Sequence, residues 1–182
     1  MAQNKSTFTF DAAPFIEMRE SGELNDVILL FNEQEVPCHK VVLAGTCEFF
    51  RLMFRSEMTE SDSKRINMRG INSTIGLPLI HFLYTGEIKI TNKNAPEVLS
   101  ASEMLLLASL KEKVEAFLQN EIKAINCISF LSLAQLYNLP NLMRDLKTFF
   151  KSHVREIVDS DQLAILEEKD LVEILAESDS EE

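Results

Sequence analysis

Three histidines, three cysteines and 29 carboxylates are the side chains with which this sequence could carry out acid–base, nucleophilic or metal chemistry. Their spacing argues against all three. His39, His81 and His153 lie in different kinds of segment, and none stands at a metal-ligand offset from another histidine or a cysteine. His39, just ahead of a helical pattern, reads as a hydrogen-bonded structural residue. His81 and His153, within helical patterns, read as partly buried packing residues. No G-x-S-x-G, H-E-x-x-H or glycine-rich phosphate loop occurs, and the chain has only five glycines. The carboxylates fall on faces expected to be solvated, so no pair stands out as an acid and a base. The expectation is a protein with no catalytic residue, no metal and no cofactor.

Cys38, Cys47 and Cys127 are odd in number and form no C-x-x-C pair, which suits reduced thiols in a cytosolic or nuclear protein. A hydrophobic content of 46% with 26% charged residues is that of an ordinary globular protein, and 182 residues suffice for one substantial domain with a smaller attached piece. There is no apolar run of about eighteen residues, and the start MAQNKSTFTF has neither the basic nor the apolar region of a signal peptide. A soluble, intracellular protein is expected, with no membrane partner.

The net charge of −11 is unevenly placed. Residues 159–182 hold ten acids and one lysine, a charge of −9, whereas residues 1–158 hold 19 acids and 17 bases, a charge of −2. A nearly balanced body with an acidic end offers no basic stripe along a phosphate backbone, which counts against nucleic-acid binding.

With chemistry set aside, surface remains. The stretch VPCHKVVLAGTCEFFRLMFRSEMTE, from Val36 to Glu60, reads as a strand end, a short helix with Val42 and Leu43, and a second helix with Phe49, Phe50, Met53 and Phe54. These four recur at i, i+1, i+4 and i+5, on one side of the helix, with Arg51 and Arg55 on the other. A helix this short is not stable alone, so the stripe is expected to pack into a core. Met58, just past the end, is apolar in a polar exit and is followed two residues on by Glu60. The region of Phe54, Met58 and Glu60 and the apolar segment from Phe8 to Met18 are the two candidate interaction surfaces.

The elements that position them follow from the hydrophobic pattern. Thr7-Phe8-Thr9-Phe10 alternates and can form a strand against a partner edge, or stay an unordered terminus. Residues 12–20 make a short helix with Phe15, Ile16 and Met18, stopped by Gly22. Asp26 to Phe31 reads as a strand buried on both faces, turned by residues 32–35 into a second strand through Val36. Arg65 to Arg69 alternates as a half-exposed strand. A helix is expected from Leu77 with Pro78 at its first position, running to Tyr84 and stopped by Thr85-Gly86, followed by a short strand over 87–90. Asn94 with Glu97 resembles a capping box ahead of a helix that buries Ala95, Val98, Leu99, Ser102, Leu105 and Leu106. The next helix turns Leu110, Val114, Phe117 and Leu118 inward and Lys111, Lys113 and Glu115 outward. Beyond it come a helix with Cys127, Phe130, Leu131, Ala134 and Tyr137 on one face, and a longer one opened by Pro140 with Leu142, Leu146, Phe149, Phe150, His153, Val154 and Ile157 on one side. Two short helices are expected near 161–166 and 169–175, then a solvated tail.

The runs D-V-I-L-L (Asp26 to Leu30), V-P-C-H-K-V-V-L-A (Val36 to Ala44), F-F-R-L-M-F (Phe49 to Phe54) and F-L-Y-T-G-E-I (Phe82 to Ile88) resemble the BTB (POZ) domain in order and spacing. The lead-in M-R-E-S-G-E-L-N-D-V and the later N-C-I resemble the Kelch-like branch, in which a helical BACK region follows. The resemblance implies an α+β fold, a small sheet flanked by helices, and then an all-helical 3-box or partial BACK segment. It divides the chain into an N-terminal segment with a possible swapped strand (1–11), a BTB domain (12–122), 3-box helices (123–176) and an acidic tail (177–182).

Kelch-like proteins are homodimeric adaptors that hold cullin-3, the scaffold of a ubiquitin ligase, and bring substrate proteins to it. The resemblance therefore implies three partners: the cullin-3 N-terminal domain, a second copy of this chain, and a substrate protein of unknown identity. The family's hydrophobic-x-Glu motif falls on Met58-Thr59-Glu60, with Phe54 and Tyr84 as further cullin-contacting residues. Its dimer interface falls on Phe15, Ile16 and Met18, with the charged pair Asp26 and Lys40. Helices between Ala124 and Val158 are expected to add a groove for the cullin's N-terminal extension. The alternative is a BTB oligomerisation module of a transcriptional regulator that recruits a corepressor. Cytoplasmic, and also nuclear, localisation is expected.

Overall fold

Val27 to Phe31 supplies the central strand of the computed structural model, which describes residues 12–55 and 64–158. The expected strand near Thr7, the motif residues Met58 and Glu60, the helices near 161–166 and 169–175, and the tail 177–182 lie outside the described residues. β1 (Val27–Phe31) pairs antiparallel with β2 (Gln34–Cys38) and parallel with β3 (Arg65–Asn67), giving the order β2-β1-β3. Asn32 makes the reversal at φ 56°, a left-handed conformation that asparagine tolerates well. In this register Leu29 lies opposite both Val36 and Ile66, and Val27 opposite Cys38, and all five are buried. Ile28 and Leu30 remain partly exposed, so β1 alternates and is not buried on both faces as expected. A sheet this small has one fully packed face, and the period of two along the strand divides its residues accordingly.

The described chain forms two compact units, residues 12–55, 64–89 and 104–107 in one, and 90–103 with 108–158 in the other. In the first, α1 (Ala13–Ser21) ends at Gly22 with φ 82°. α2 (Lys40–Thr46) and α3 (Glu48–Arg55) are separated by the extended, buried Cys47. α4 (Ser73–Thr85) begins four residues earlier than the sequence suggested, with Pro78 inside it. Asn72 sets that start, its side chain accepting the Ile75 N–H at 3.2 Å. An internal proline costs about 3 kcal/mol. Full burial of Ile75, Leu79, Ile80 and Leu83, at about 1.5–3 kcal/mol each, outweighs it. Gly76 lies against the Phe31 ring so closely that an added Cβ would sit 2.3 Å from its Cδ1. Residues 87–90 carry no strand ladder among the described residues, unlike the strand expected there.

The second unit is helical: α5 (Ala95–Met104), whose last residue belongs to the first unit, then α6 (Ala108–Asn120), α7 (Cys127–Leu136), α8 (Pro140–Ser152) and α9 (Val154–Val158). The box at its start is Thr91 with Asn94, each side chain accepting the other's backbone N–H, at 3.3 and 2.7 Å. Leu106, expected inside, follows the end of α5 at φ 55° and is half exposed. The long helix expected from Pro140 breaks at His153, which closes α8 with its backbone N–H on Phe149 O and Phe150 O. Its ring stacks on Phe149 at 4.1 Å. His81, expected to be partly buried, is exposed on α4.

Candidate interaction surface

His39 is the hinge between β2 and α2, in extended conformation at φ −104° and ψ 121°, and its side chain does not cap the helix that follows. That place is taken by Asp26 at the start of β1, whose Oδ1 accepts the Lys40 N–H at 2.7 Å. A carboxylate there meets the unpaired amides and the positive end of the helix dipole. The Asp26–Lys40 pair is thus brought together within one chain through the lysine backbone. The Lys40 ammonium lies 5.3 Å from the centre of the Phe54 ring, a cation–π distance.

The freed His39 ring works inward. Its Nε2 is 2.9 Å from Glu23 O, which requires Nε2–H to donate and leaves Nδ1 as an acceptor. Tyr84 Oη lies 2.9 Å from Nδ1 and 2.9 Å from the His39 backbone N. The phenol therefore donates to the ring and accepts from the amide, closing a loop of bonds in which each group has one role. Arg19 from α1 covers the Tyr84 ring, its guanidinium carbon 5.2 Å from the centroid. Tyr84 is 8% exposed and His39 4%. Burial raises the phenol pKa to about 12 and does the same to the neighbouring Cys38 thiol. Tyr84 stands beneath the surface, joining α1, the β2–α2 hinge and α4.

The apolar stripe on α3 does not behave as the expected core. Phe50 alone is buried, stacked on Phe54 at 5.9 Å and edge-on to Phe49 at 5.4 Å. Phe49, Met53 and Phe54 are only partly covered, and Leu52 is 54% exposed. Two aromatic rings and a methionine left part-exposed on one short helix are more than solvation favours. Phe15, Ile16 and Met18 on α1 are likewise half-buried; that helix, which packs on β2 and α4, buries no residue fully.

Sequence reasoning missed Arg19 as a partner of Tyr84, and placed Glu115 outward. Glu115 is 7% exposed, with Oε1 accepting the N–H groups of Asn141 at 2.7 Å and Leu142 at 2.9 Å. It caps α8, whose own N-cap residue, Leu139, has no acceptor to offer. A leucine at a helix start with no capping side chain was the available signal.

All three cysteines are free and buried. Among the described residues no group of three His, Cys, Asp or Glu could hold a metal ion, and no helix is long and apolar enough to cross a membrane.

Residues 15–122 match the family described as BTB/POZ domain, and residues 127–181 the family described as BTB And C-terminal Kelch, or BACK. Kelch-like protein 2 of Rattus norvegicus is 30% identical over 146 residues, 80% of this chain and 25% of the relative. Kelch-like protein 7 of Homo sapiens is 31% identical over 158 residues, 87% of this chain and 27% of the relative. The chain spans about a quarter of the length of these relatives. Among solved structures, the BTB domain of zebrafish PATZ1 aligns with a TM-score of 0.54 at 26% identity, covering 63% of this chain and 99% of that one.

Proposed function

Because the chain belongs to the BTB/POZ domain family, with an α+β fold and a helical BACK region after it, we propose that it is a non-enzymatic adaptor. It homodimerises, binds the N-terminal domain of cullin-3, and brings a substrate protein to the ubiquitin ligase built on that scaffold, in the cytoplasm and also in the nucleus. The observation that carries the reading is the half-covered face of Phe49, Met53 and Phe54 on α3, only a few residues ahead of Met58-Thr59-Glu60 in the chain.

Each residue has a distinct part in this reading. Met58 is a flexible apolar anchor for a pocket on the cullin, and Glu60 accepts hydrogen bonds beside it. Phe54 extends the apolar contact, with Lys40 lying over its ring. Tyr84 acts from below, through His39, by fixing where α2 starts. Phe15, Ile16 and Met18 supply the dimer contact, and the Asp26–Lys40 joint lies close in sequence to β2, on which α1 packs.

Calorimetry of the cullin-3 N-terminal domain with the full chain tests the reading. Met58→Ala is expected to weaken binding by about 1–3 kcal/mol, the range of a good anchor. Glu60→Ala is expected to weaken it as well. An unaltered chain that binds no cullin-3 overturns the proposal.

A further inference from the structure

α1 buries no residue fully on its own chain, although it packs on β2 and α4. Three polar contacts tie down its C-terminal end: Asn25 Nδ2–H donates to Arg19 O at 2.9 Å, His39 Nε2–H donates to Glu23 O at 2.9 Å, and the Arg19 guanidinium covers the Tyr84 ring. The turn that leads on into β1 is strained. Leu24 stands at φ 59°, a conformation costly for a bulky side chain, and is 73% exposed. Asn25 Oδ1 is buried without a hydrogen-bond partner among the described residues. A helix with no fully buried side chain, beside an unpaired buried acceptor and a strained turn, belongs to the part of a fold that opens first.

The contacts that seat α1 run on to the partner-binding face. Tyr84 Oη bonds the His39 backbone N and Nδ1, each at 2.9 Å. His39 opens α2, whose first residue, Lys40, has its N–H on Asp26 Oδ1 at 2.7 Å and its ammonium 5.3 Å from the centre of the Phe54 ring. Arg19, Tyr84, His39, Lys40 and Phe54 thus form an unbroken series from α1 to α3, and all five belong to the first unit.

We propose that α1 is a coupling element: its seating by a second copy fixes the β2–α2 hinge, so that the protein binds cullin-3 more tightly as a dimer than as a single chain. Arg19 is the positioning residue of this coupling and acts through Tyr84. With α1 lifted, His39 Nε2–H loses the Glu23 carbonyl and Tyr84 loses its cover. The imidazole is then free to turn, and the hinge that places Lys40 over Phe54 loosens. A face that is only fractionally in its competent arrangement binds more weakly by that fraction. Linkage makes the effect reciprocal, so cullin-3 tightens the dimer by the same factor. The inference rests on the adaptor reading and adds to it a regulation, in which a single chain is a poor adaptor.

The test is calorimetry of the full chain with the cullin-3 N-terminal domain, on the parent, Ile16→Lys, Arg19→Met and the two combined. Ile16 lies outside the series, on the proposed dimer face, and methionine keeps the apolar stem of Arg19 without its guanidinium. Each single variant is expected to weaken cullin-3 binding about fivefold or more, the size of an ordinary coupling. The combination is expected to be no weaker than the stronger single variant, because both unseat the same helix. Glu20→Gln removes only the exposed Arg19–Glu20 pair at 3.7 Å and is expected to bind as the parent does. Hydrogen exchange without cullin-3 supplies a second readout. The amides of His39 and Lys40, bonded to Tyr84 and Asp26, are expected to exchange faster in Ile16→Lys than in the parent, while the amides of β1 stay protected. A merely structural role for Arg19 would lower the urea midpoint and leave the dimer's advantage in cullin-3 binding untouched. A monomeric Ile16→Lys that binds cullin-3 as tightly as the dimeric parent, unchanged exchange of those two amides, or additive losses in the combined variant would each overturn the proposal and leave the adaptor reading standing. A parent that binds no cullin-3 would overturn the adaptor reading and this one with it.

Discussion

The Tyr84 hydroxyl and the His39 backbone N–H meet at 2.9 Å across 45 residues of chain, both inside the protein. That one bond couples the C-terminal half of α4 to the first turn of α2, with the imidazole of the same histidine as a second partner. Tyr84→Phe keeps the ring under Arg19 and removes only the oxygen. It leaves a buried amide and a buried ring nitrogen without their partner, so a loss of about 1–3 kcal/mol is expected in urea unfolding.

Glu115→Gln retains the shape of the cap on α8 and removes its charge, and should cost about 0.5–2 kcal/mol. Glu115→Ala, which strips both amides of their acceptor, should cost more. Thermal unfolding followed by circular dichroism ranks the two; equal stability of all three chains would contradict the cap.

Gly76→Ala sets two effects against each other. Alanine is favoured over glycine inside a helix by up to about 1 kcal/mol. The new Cβ would meet the Phe31 ring at 2.3 Å, and overpacking of this kind costs about 1–3 kcal/mol. The clash should win, giving a lower urea midpoint than the parent.

Alkaline pH should destabilise the fold. Burial holds the Cys38 thiol at about 12, Cys127 at about 11 and the Tyr84 phenol at about 12, all above their ordinary values of 9.0 and 10.0. The unfolded chain releases these protons first, so the native state binds more of them. Their stabilising contribution is complete below about pH 9 and is lost as pH rises toward 11–12. Urea midpoints taken between neutral pH and pH 11 should fall. At pH 8 a thiol reagent should modify the native protein slowly and the unfolded protein fast.

The half-buried face of α1 carries the dimer prediction. Ile16→Lys places a charge where a second copy would pack, at small cost to a single chain because Ile16 is only partly buried in it. Light scattering at micromolar concentration should report a dimer for the parent and a monomer for the variant. A monomeric parent would contradict the proposed homodimer.

Much of the fold was legible because it rests on short-range patterns. The 3.6-residue spacing gave α5 to α8, Gly22 and Gly86 marked helix ends, and Pro140 marked a start. What was not legible depended on neighbours distant in sequence. Nothing local shows that Phe31 lies on Gly76, whereas the cap at Asn72 that sets the start of α4 is a local signal, passed over in reading Pro78 as a first residue. Glu115 was misplaced because its partners are amides 26 and 27 residues away. On α3 the apolar spacing was right and the inference from it was not, because periodicity identifies an apolar face without saying whether the same chain covers it. His39 was legible as a structural residue, although its tautomer needed the Glu23 carbonyl.

The cap at Glu115 also has a direction in time. Synthesis delivers α6 before α8, so the carboxylate is already displayed when Asn141 and Leu142 emerge to need it. The acceptor precedes its donors, and α8 can complete its first turn on a surface that is waiting for it.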